Sequence, residues 1–296
     1  MAESRTSFHN HLVICGWKQD MELVVSEILH ADPQWNDAGV VIVARVTEED
    51  ISDFKAHPRL SHVHIIVADS FHEGALLKAS IQSASKVVVL ADWSDKNMTA
   101  TETDAKTVMT VMAIEKLAPH VYTIAELLDP DYAVYLKIAH VDELIYPREY
   151  SRILLANAST SAGISHVVYD LLTVDTPSVM TTVPFPPEFV GKPFRDLFRY
   201  FDGLPEPRSI CVGLLENTGN LHALKRRAKT EAQKTLEIRA VLANLKLVKE
   251  IKPNLPRLNP GDDYVIPGSS LAIVLITPEE VPAETSAGAP AVAGKS

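Results

Sequence analysis

His11–Leu29 reads HLVICGWKQDMELVVSEIL, and the change of pattern within it decides the fold. His11–Cys15 is a short apolar run of the kind that forms a strand buried on both faces. From about Asp20 to Ala31 the apolar side chains fall at Met21, Val24, Val25, Ile28 and Leu29, the spacing of one face of a helix. Gly16 separates the two patterns, at the point where a buried strand must turn sharply into a helix. A strand, a glycine turn and a helix in this order predict a Rossmann-like sheet.

The alternation continues outward from that unit. Val40–Ala44, Val63–Val67, Lys86–Ala91, Val121–Ala125 and Glu143–Tyr146 read as further strands. Glu48–Ala56, Gly74–Ala79 and Tyr132–Ala139 read as helices between them, with a longer helix that carries Val108, Val111, Met112 and Leu117 on one face. The expected fold is α/β, a doubly wound parallel sheet over 9–148. Glu149–Leu172 is helical but interrupted at Ala162-Gly163, which predicts a bent helical crossover over 149–174. After Asp175, prolines at 177, 184, 186 and 187 punctuate short extended segments such as Ser209–Leu215 and Leu271–Ile276. This is the pattern of a smaller α+β domain over 175–278, with a helix-like insertion at about 220–255. Residues 1–8 and the Ala/Pro/Gly/Ser-rich stretch 279–296 are expected to be disordered.

The 296 residues are 46% hydrophobic, enough for a core, but no run approaches the roughly 20 apolar residues that a spanning helix needs. Glu3, Arg5 and His9 leave no apolar signal region at the start. The expectation is a cytosolic protein without a pore of its own. Cys15 and Cys211 are too few for a disulfide framework and lack metal-ligand spacing, so both read as small core residues. A net charge of −10 argues against nucleic-acid binding, which relies on basic surface. Residues 225–252 run against that balance, with nine Lys/Arg and three Glu. They read as a solvated or docked helix face, with lipid headgroups or an anionic effector as the alternative partner.

Gly16 opens a helix whose N-terminus is suited to phosphate, yet the G-x-G-x-x-G fingerprint is incomplete. Lys18 and Met21 stand where its second and third glycines belong, and the second strand ends Ala44-Arg45 where an NAD enzyme places an acidic residue. Nicotinamide chemistry is disfavoured, while Gly16, Trp17, Lys18 and Arg45 remain candidates for contact with a nucleotide or another effector. Asp69, Asp92 and Glu126 each follow a strand of one sheet, so they reach the crevice where ligands of such sheets bind. They read as partners for a cation or for ribose hydroxyls, or as plain capping carboxylates. Asp92 and Glu126 are the candidate metal ligands, although Leu128, at the alternate position after Glu126, adds no oxygen to the several that calcium needs. Asp95, Glu102 and Asp104 read as the beginning and decoration of a helix. No Ser/His/Asp or Cys/His set falls at catalytic spacing, and the chain reads as a non-enzyme.

The same residues resemble the RCK (TrkA-N) domains that regulate potassium channels and transporters. The resemblance runs through HLVICGWKQDMELVVSEIL, VADS around Asp69, ASKVVVLAD up to Asp92, DAKTVMTVMAIEKL from Asp104, and TIAELLDPDYAVYLKIAHVDELIYP from Thr123 to Pro147. In the last of these, His140 stands where the family usually has glycine. Tyr150–Leu172 is similar to the crossover helices that pair RCK subunits, which implies a dimer interface with Ile153, Leu154, Val167, Val168 and Leu171. A looser likeness to the TrkA-C regulatory domain ends at NPGDDYVIPGSSLAIVL. The resemblance implies a cytoplasmic gating module at the inner face of a membrane, with homo-oligomers paired within a ring and a potassium-conducting pore on the same or a separate polypeptide. Calcium-gated relatives imply Ca2+ as an effector, while the side chains themselves, Lys18 and Arg45 for phosphate and Asp69, Asp92 and Glu126 for ribose hydroxyls, suggest an adenine nucleotide (ATP, ADP or NAD). The competing readings are a peripheral TrkA-like subunit of a potassium uptake transporter and a pyridine-nucleotide oxidoreductase.

Overall fold

The computed structural model describes residues 8–95, 97–173, 176, 178–205, 207–232 and 252–277. The middle of the basic run, 233–251, and residues 1–7 and 278–296 lie outside the described residues; these cover the ends expected to be disordered, 1–8 and 279–296, except for Phe8. Contacts divide the chain into two units, Met1–Ile164 with Glu216–Pro256 and Ser165–Leu215 with Arg257–Ser296.

The first unit begins with β1 (Leu12–Cys15), α1 (Met21–Ala31), α2 (Gln34–Ala38), β2 (Val40–Ala44), α3 (Glu48–Ala56), β3 (His64–Val67) and α4 (Glu73–Lys78). It continues with β4 (Lys86–Val89), α5 (Ala100–Leu117), β5 (Tyr122–Glu126), α6 (Ala133–Ile138), β6 (Glu143–Ile145) and α7 (Pro147–Thr160). The six strands form one sheet in the order β3-β2-β1-β4-β5-β6, and every neighbouring pair is parallel. Successive strand residues point to opposite faces. Val13, Cys15, Val41, Val43, Val87 and Val89 therefore pack with α4, α5 and α6 on one side. Leu12, Ile14, Val40 and Ile42 pack with α1 and α3 on the other. Two helices start on complete capping boxes, Thr47 with Asp50 for α3 and Thr99 with Glu102 for α5. Cys15 is buried, and burial pushes its thiol up to about 12. Both cysteines are core residues, as their sequence context predicts.

The second unit takes α8 (Ile164–Leu172), β7 (Val179–Val183), α9 (Phe194–Asp202) and β8 (Ser209–Glu216). The chain then returns to the first unit for α10 (Leu221–Ala232) and completes the second sheet with β9 (Leu255–Leu258) and β10 (Leu271–Ile276). That sheet has the order β7-β10-β8-β9, with β10 antiparallel to both neighbours. Its core joins Phe194, Leu197 and Phe201 of α9 to Cys211, Leu214, Ala272 and Val274. A Cβ on Gly213 would collide with the Arg257 carbonyl, so glycine lets β8 and β9 approach.

The described ends of 220–255, expected in the second domain, make their contacts with the first unit. Asp142 Oδ1 accepts the Leu221 N–H at 2.5 Å, and Asp142 Oδ2 accepts Asn220 Nδ2 at 3.1 Å. Asn254 Nδ2 donates to the Tyr122 hydroxyl at 2.5 Å. Both described ends of the excursion are thus fastened to the first unit. Among the described residues no helix is long and apolar enough to cross a membrane.

Candidate functional site

The strand order reverses between β1 and β4, and the crevice of a doubly wound sheet opens at the carboxyl ends of such strands. Gly16 sits there with φ of 99°, and a Cβ at this position would lie 3.1 Å from the Leu90 carbonyl oxygen and 3.3 Å from Asp92 Cβ. Both the backbone angle and the lack of space require glycine. Trp17 is buried against Phe54, with ring centroids 5.4 Å apart, and its N–H donates to Asp92 Oδ1 at 3.2 Å. The turn donor that a bound phosphate would use therefore already serves a carboxylate of the chain.

The remaining candidates are joined in pairs. Lys18 Nζ donates to Glu126 Oε1 at 2.7 Å, and Glu126 Oε2 accepts the Ala91 N–H at 2.9 Å. Asp92 Oδ1 also accepts the Ser94 N–H at 2.9 Å, while Asp92 Oδ2 takes Lys106 Nζ at 2.6 Å. The same ammonium lies 3.4 Å from Asp69 Oδ1, and Arg45 reaches Asp69 Oδ2 at 3.0 Å. Gly16 only packs against Asp92, and two groups result: Lys18 with Glu126, and Trp17, Asp92, Asp69 and Arg45 joined through Lys106, the member that sequence reasoning missed. Its signal was faint. Lys106 stands three residues after Thr103 and four before Thr110, both on the buried face of α5.

A calcium ion takes six to eight oxygens, yet all four carboxylate oxygens of Asp92 and Glu126 already accept an N–H or an ammonium. This donor set does not fit a divalent cation. Among the described residues no group of three or more His, Cys, Asp or Glu side chains is arranged to hold a metal. Asp104 also departs from expectation. It does not decorate the start of α5 but is fully buried, its two oxygens accepting the Leu128 and Asp129 N–H groups at 2.9 Å each. Burial raises its carboxyl above the ordinary value, partly opposed by those two bonds. Glu102 instead completes the capping box of α5 with the N-cap Thr99.

A second polar cluster lies beneath α10, beside a cavity of about 390 Å³ bounded by Met112, Tyr135, Ile138, Glu115, His140 and His222 among others. His222 Nε2 lies 3.1 Å from Glu115 Oε2, and Glu115 Oε1 is buried without a hydrogen-bond partner among the described residues. Burial, with Asp142 nearby, pushes the Glu115 carboxyl up to about 8. His140 has φ of 60°, the left-handed region that favours glycine, which accounts for the glycine usual at this position of the pattern. Nothing in the sequence marked Glu115, whose surroundings come from three separate segments.

The helices expected to pair subunits have no buried residue. On α7, Tyr150, Ile153 and Leu155 are at least half exposed and Leu154 is half-buried; on α8, Val167 is half exposed, and Val168 and Leu171 are half-buried. Gly163, with φ of 80°, stands between the two helices at the predicted interruption.

A doubly wound parallel sheet with a lone glycine turn defines the first unit as a Rossmann-like domain that lacks the dinucleotide fingerprint. Residues 7–125 match the family described as the calcium-activated potassium channel slowpoke-like RCK domain. YugO of Bacillus subtilis, named as a potassium channel protein, is 24% identical over 194 residues, 65% of this chain and 55% of that protein. The calcium-gated potassium channel TvoK of Thermoplasma volcanium is 23% identical over 164 residues, 55% of this chain and 44% of that protein. The chain thus spans about half the length of these curated relatives. The human SLO3 gating ring shares the fold, with a TM-score of 0.56 at 13% identity over 90% of this chain and 44% of that one.

Proposed function

We propose that the chain is the cytoplasmic, ligand-sensing gating module of a potassium channel, and that it controls conductance through rearrangement of paired RCK domains. The match of residues 7–125 to a channel RCK family carries this reading. An effector in the crevice favours one arrangement of the paired modules, and the change in spacing pulls on the linked pore. The pull is no larger than the effector's differential affinity for the two arrangements. The pore belongs to the same or a separate polypeptide. A closed ring of pairs needs two different contact faces on each copy. Two apolar faces support that requirement: Tyr150, Ile153 and Leu155 on α7, and Met109, Met112, Val134, Tyr135 and Ile138 on α5 and α6, all at least half exposed.

An adenine nucleotide is the effector proposed for the crevice, whose carboxylates, already engaged by ammonium and N–H groups, do not fit Ca2+. The phosphates would compete for Lys18 and Arg45, and the ribose hydroxyls would face the acidic edge. Nothing in this function requires a reaction, and the module is read as non-catalytic.

Light scattering on the purified chain tests the assembly. The expected mass is a multiple of the monomer, falling in Leu154→Asp, Leu155→Asp or Val168→Asp; a mass unchanged in all three counts against the interface. A thermal-shift screen of ATP, ADP, NAD(H) and Ca2+ tests the effector, with nucleotide stabilisation expected and lost in Lys18→Ala and Arg45→Ala. Protein-dependent hydride transfer from NAD(P)H would move the chain to the oxidoreductase reading.

A further inference from the structure

Ammonium groups join the strand ends of the first sheet. Lys106, on α5, lies between Asp92 after β4 and Asp69 after β3, at 2.6 Å and 3.4 Å. Lys18, in the turn after β1, reaches Glu126 at the end of β5 at 2.7 Å. The side chains of Asp92, Glu126 and Lys106 are only 4%, 6% and 12% exposed, so these are not solvated surface pairs. Carboxylates this deep require positive charge close by, because isolated charge is strongly disfavoured away from water.

We propose that Lys106 and Lys18 are tethered cations that take the ion positions of the crevice, which is therefore held together by the chain itself and not by a divalent metal. An ammonium carries three donors, so Lys106 serves Asp69 and Asp92 together. Calcium would have to displace both ammonium groups and still gather six or more oxygens, while the N–H groups of Trp17, Ser94 and Ala91 already occupy the same carboxylates. The bridging charge is covalently attached, so it does not vary with the ion concentration of the surroundings. The signal read at this crevice is then an anion competing for Lys18, which keeps 23% of its side chain exposed, or for Arg45 at the rim. This inference rests on the regulatory reading for the crevice being the sensing site; the charge assignment itself does not.

Thermal unfolding of the full chain with and without millimolar CaCl2, at ionic strength matched with NaCl, tests the assignment. The wild type is expected not to respond. Lys106→Met should melt roughly 10 °C lower, and Lys18→Met by less, with part of each loss recovered by CaCl2 and none by NaCl. The neutral pair Lys106→Met with Asp92→Asn should fold and ignore CaCl2, which keeps the test open if Lys106→Met alone does not fold. Three results overturn the proposal: a wild-type rise with CaCl2 that disappears in Asp92→Asn, a Lys106→Met variant as stable as wild type, or losses in Lys106→Met and Lys18→Met that CaCl2 does not recover. Light-scattering masses equal to wild type in these variants separate this outcome from any failure of the assembly reading.

Discussion

Asp92 and Glu126 at the strand ends, and Glu115 beneath α10, are carboxylates of one unit buried to a similar depth, with 4%, 6% and 10% of their side chains exposed. Their surroundings are opposite. The first two meet lysine ammonium groups and backbone N–H donors. Among the described residues Glu115 meets a single imidazole, with Asp142 near it and one oxygen unpartnered, and its carboxyl is pushed up to about 8. Carboxylates buried to a similar depth can thus meet very different partners, which topology delivers. One region is built from ion pairs, and in the other burial raises a carboxyl to about 8.

The sharpest way to break this contrast is to remove an acid from the paired region. Glu126→Ala strands the Lys18 ammonium and the Ala91 N–H, and about 3–5 kcal/mol of unfolding free energy should be lost in denaturant titration. Glu126→Gln, which keeps the acceptor for Ala91, should lose less. A loss under about 1 kcal/mol in Glu126→Ala would mean that water already screens the pair.

In the unpaired region the informative variable is pH. Because the Glu115 carboxyl is raised from 4.5 to about 8, the folded chain holds a proton that the unfolded chain has released across that interval. Its contribution to stability is complete below pH 4.5 and is lost as pH rises through about 8. Asp142, also raised by burial, acts in the same direction from 3.8 upward. Relative to Glu115→Gln, the wild type should lose on the order of 2 kcal/mol between about pH 5 and about pH 8, followed by denaturant titration at each pH. Parallel pH profiles for the two proteins would remove Glu115 from the account.

The smallest effect belongs to the exposed edge of the paired network. Arg45 is 75% exposed where it meets Asp69, so Arg45→Ala should change stability by about 0.5 kcal/mol or less in the same titration. A larger loss would place Arg45 with the buried lysines, and the ranking within the crevice would need to be redrawn.

Much of this architecture is legible in the chain. The strands β1 to β6 and the helices α1 and α3 to α6 fall within a few residues of where apolar spacing puts them, and the break between α7 and α8 falls at Ala162-Gly163. The short α2 and α9 escaped notice. The seven candidate crevice residues were legible too, because carboxyl ends of parallel strands share one edge. What they would do there was not. Lys106 and Asp104 sit in a helix whose first turns read as a solvated, acidic start, and only packing against the sheet turns one into a bridge and the other into a buried acceptor.

By itself the sequence determined the local units, since strand, turn and helix depend on the spacing of near neighbours, and it determined that Gly16 and not a bulkier residue opens the first helix. The tertiary structure alone decided which charges meet. Lys18 and Glu126 are 108 residues apart and pair because β1 and β5 flank β4 in the sheet. The described residues 216–232 and 252–256 join the first unit, with Asp142 there accepting the N–H that starts α10. Pairings at such separations are set by strand order, which appears only when the whole sheet is assembled.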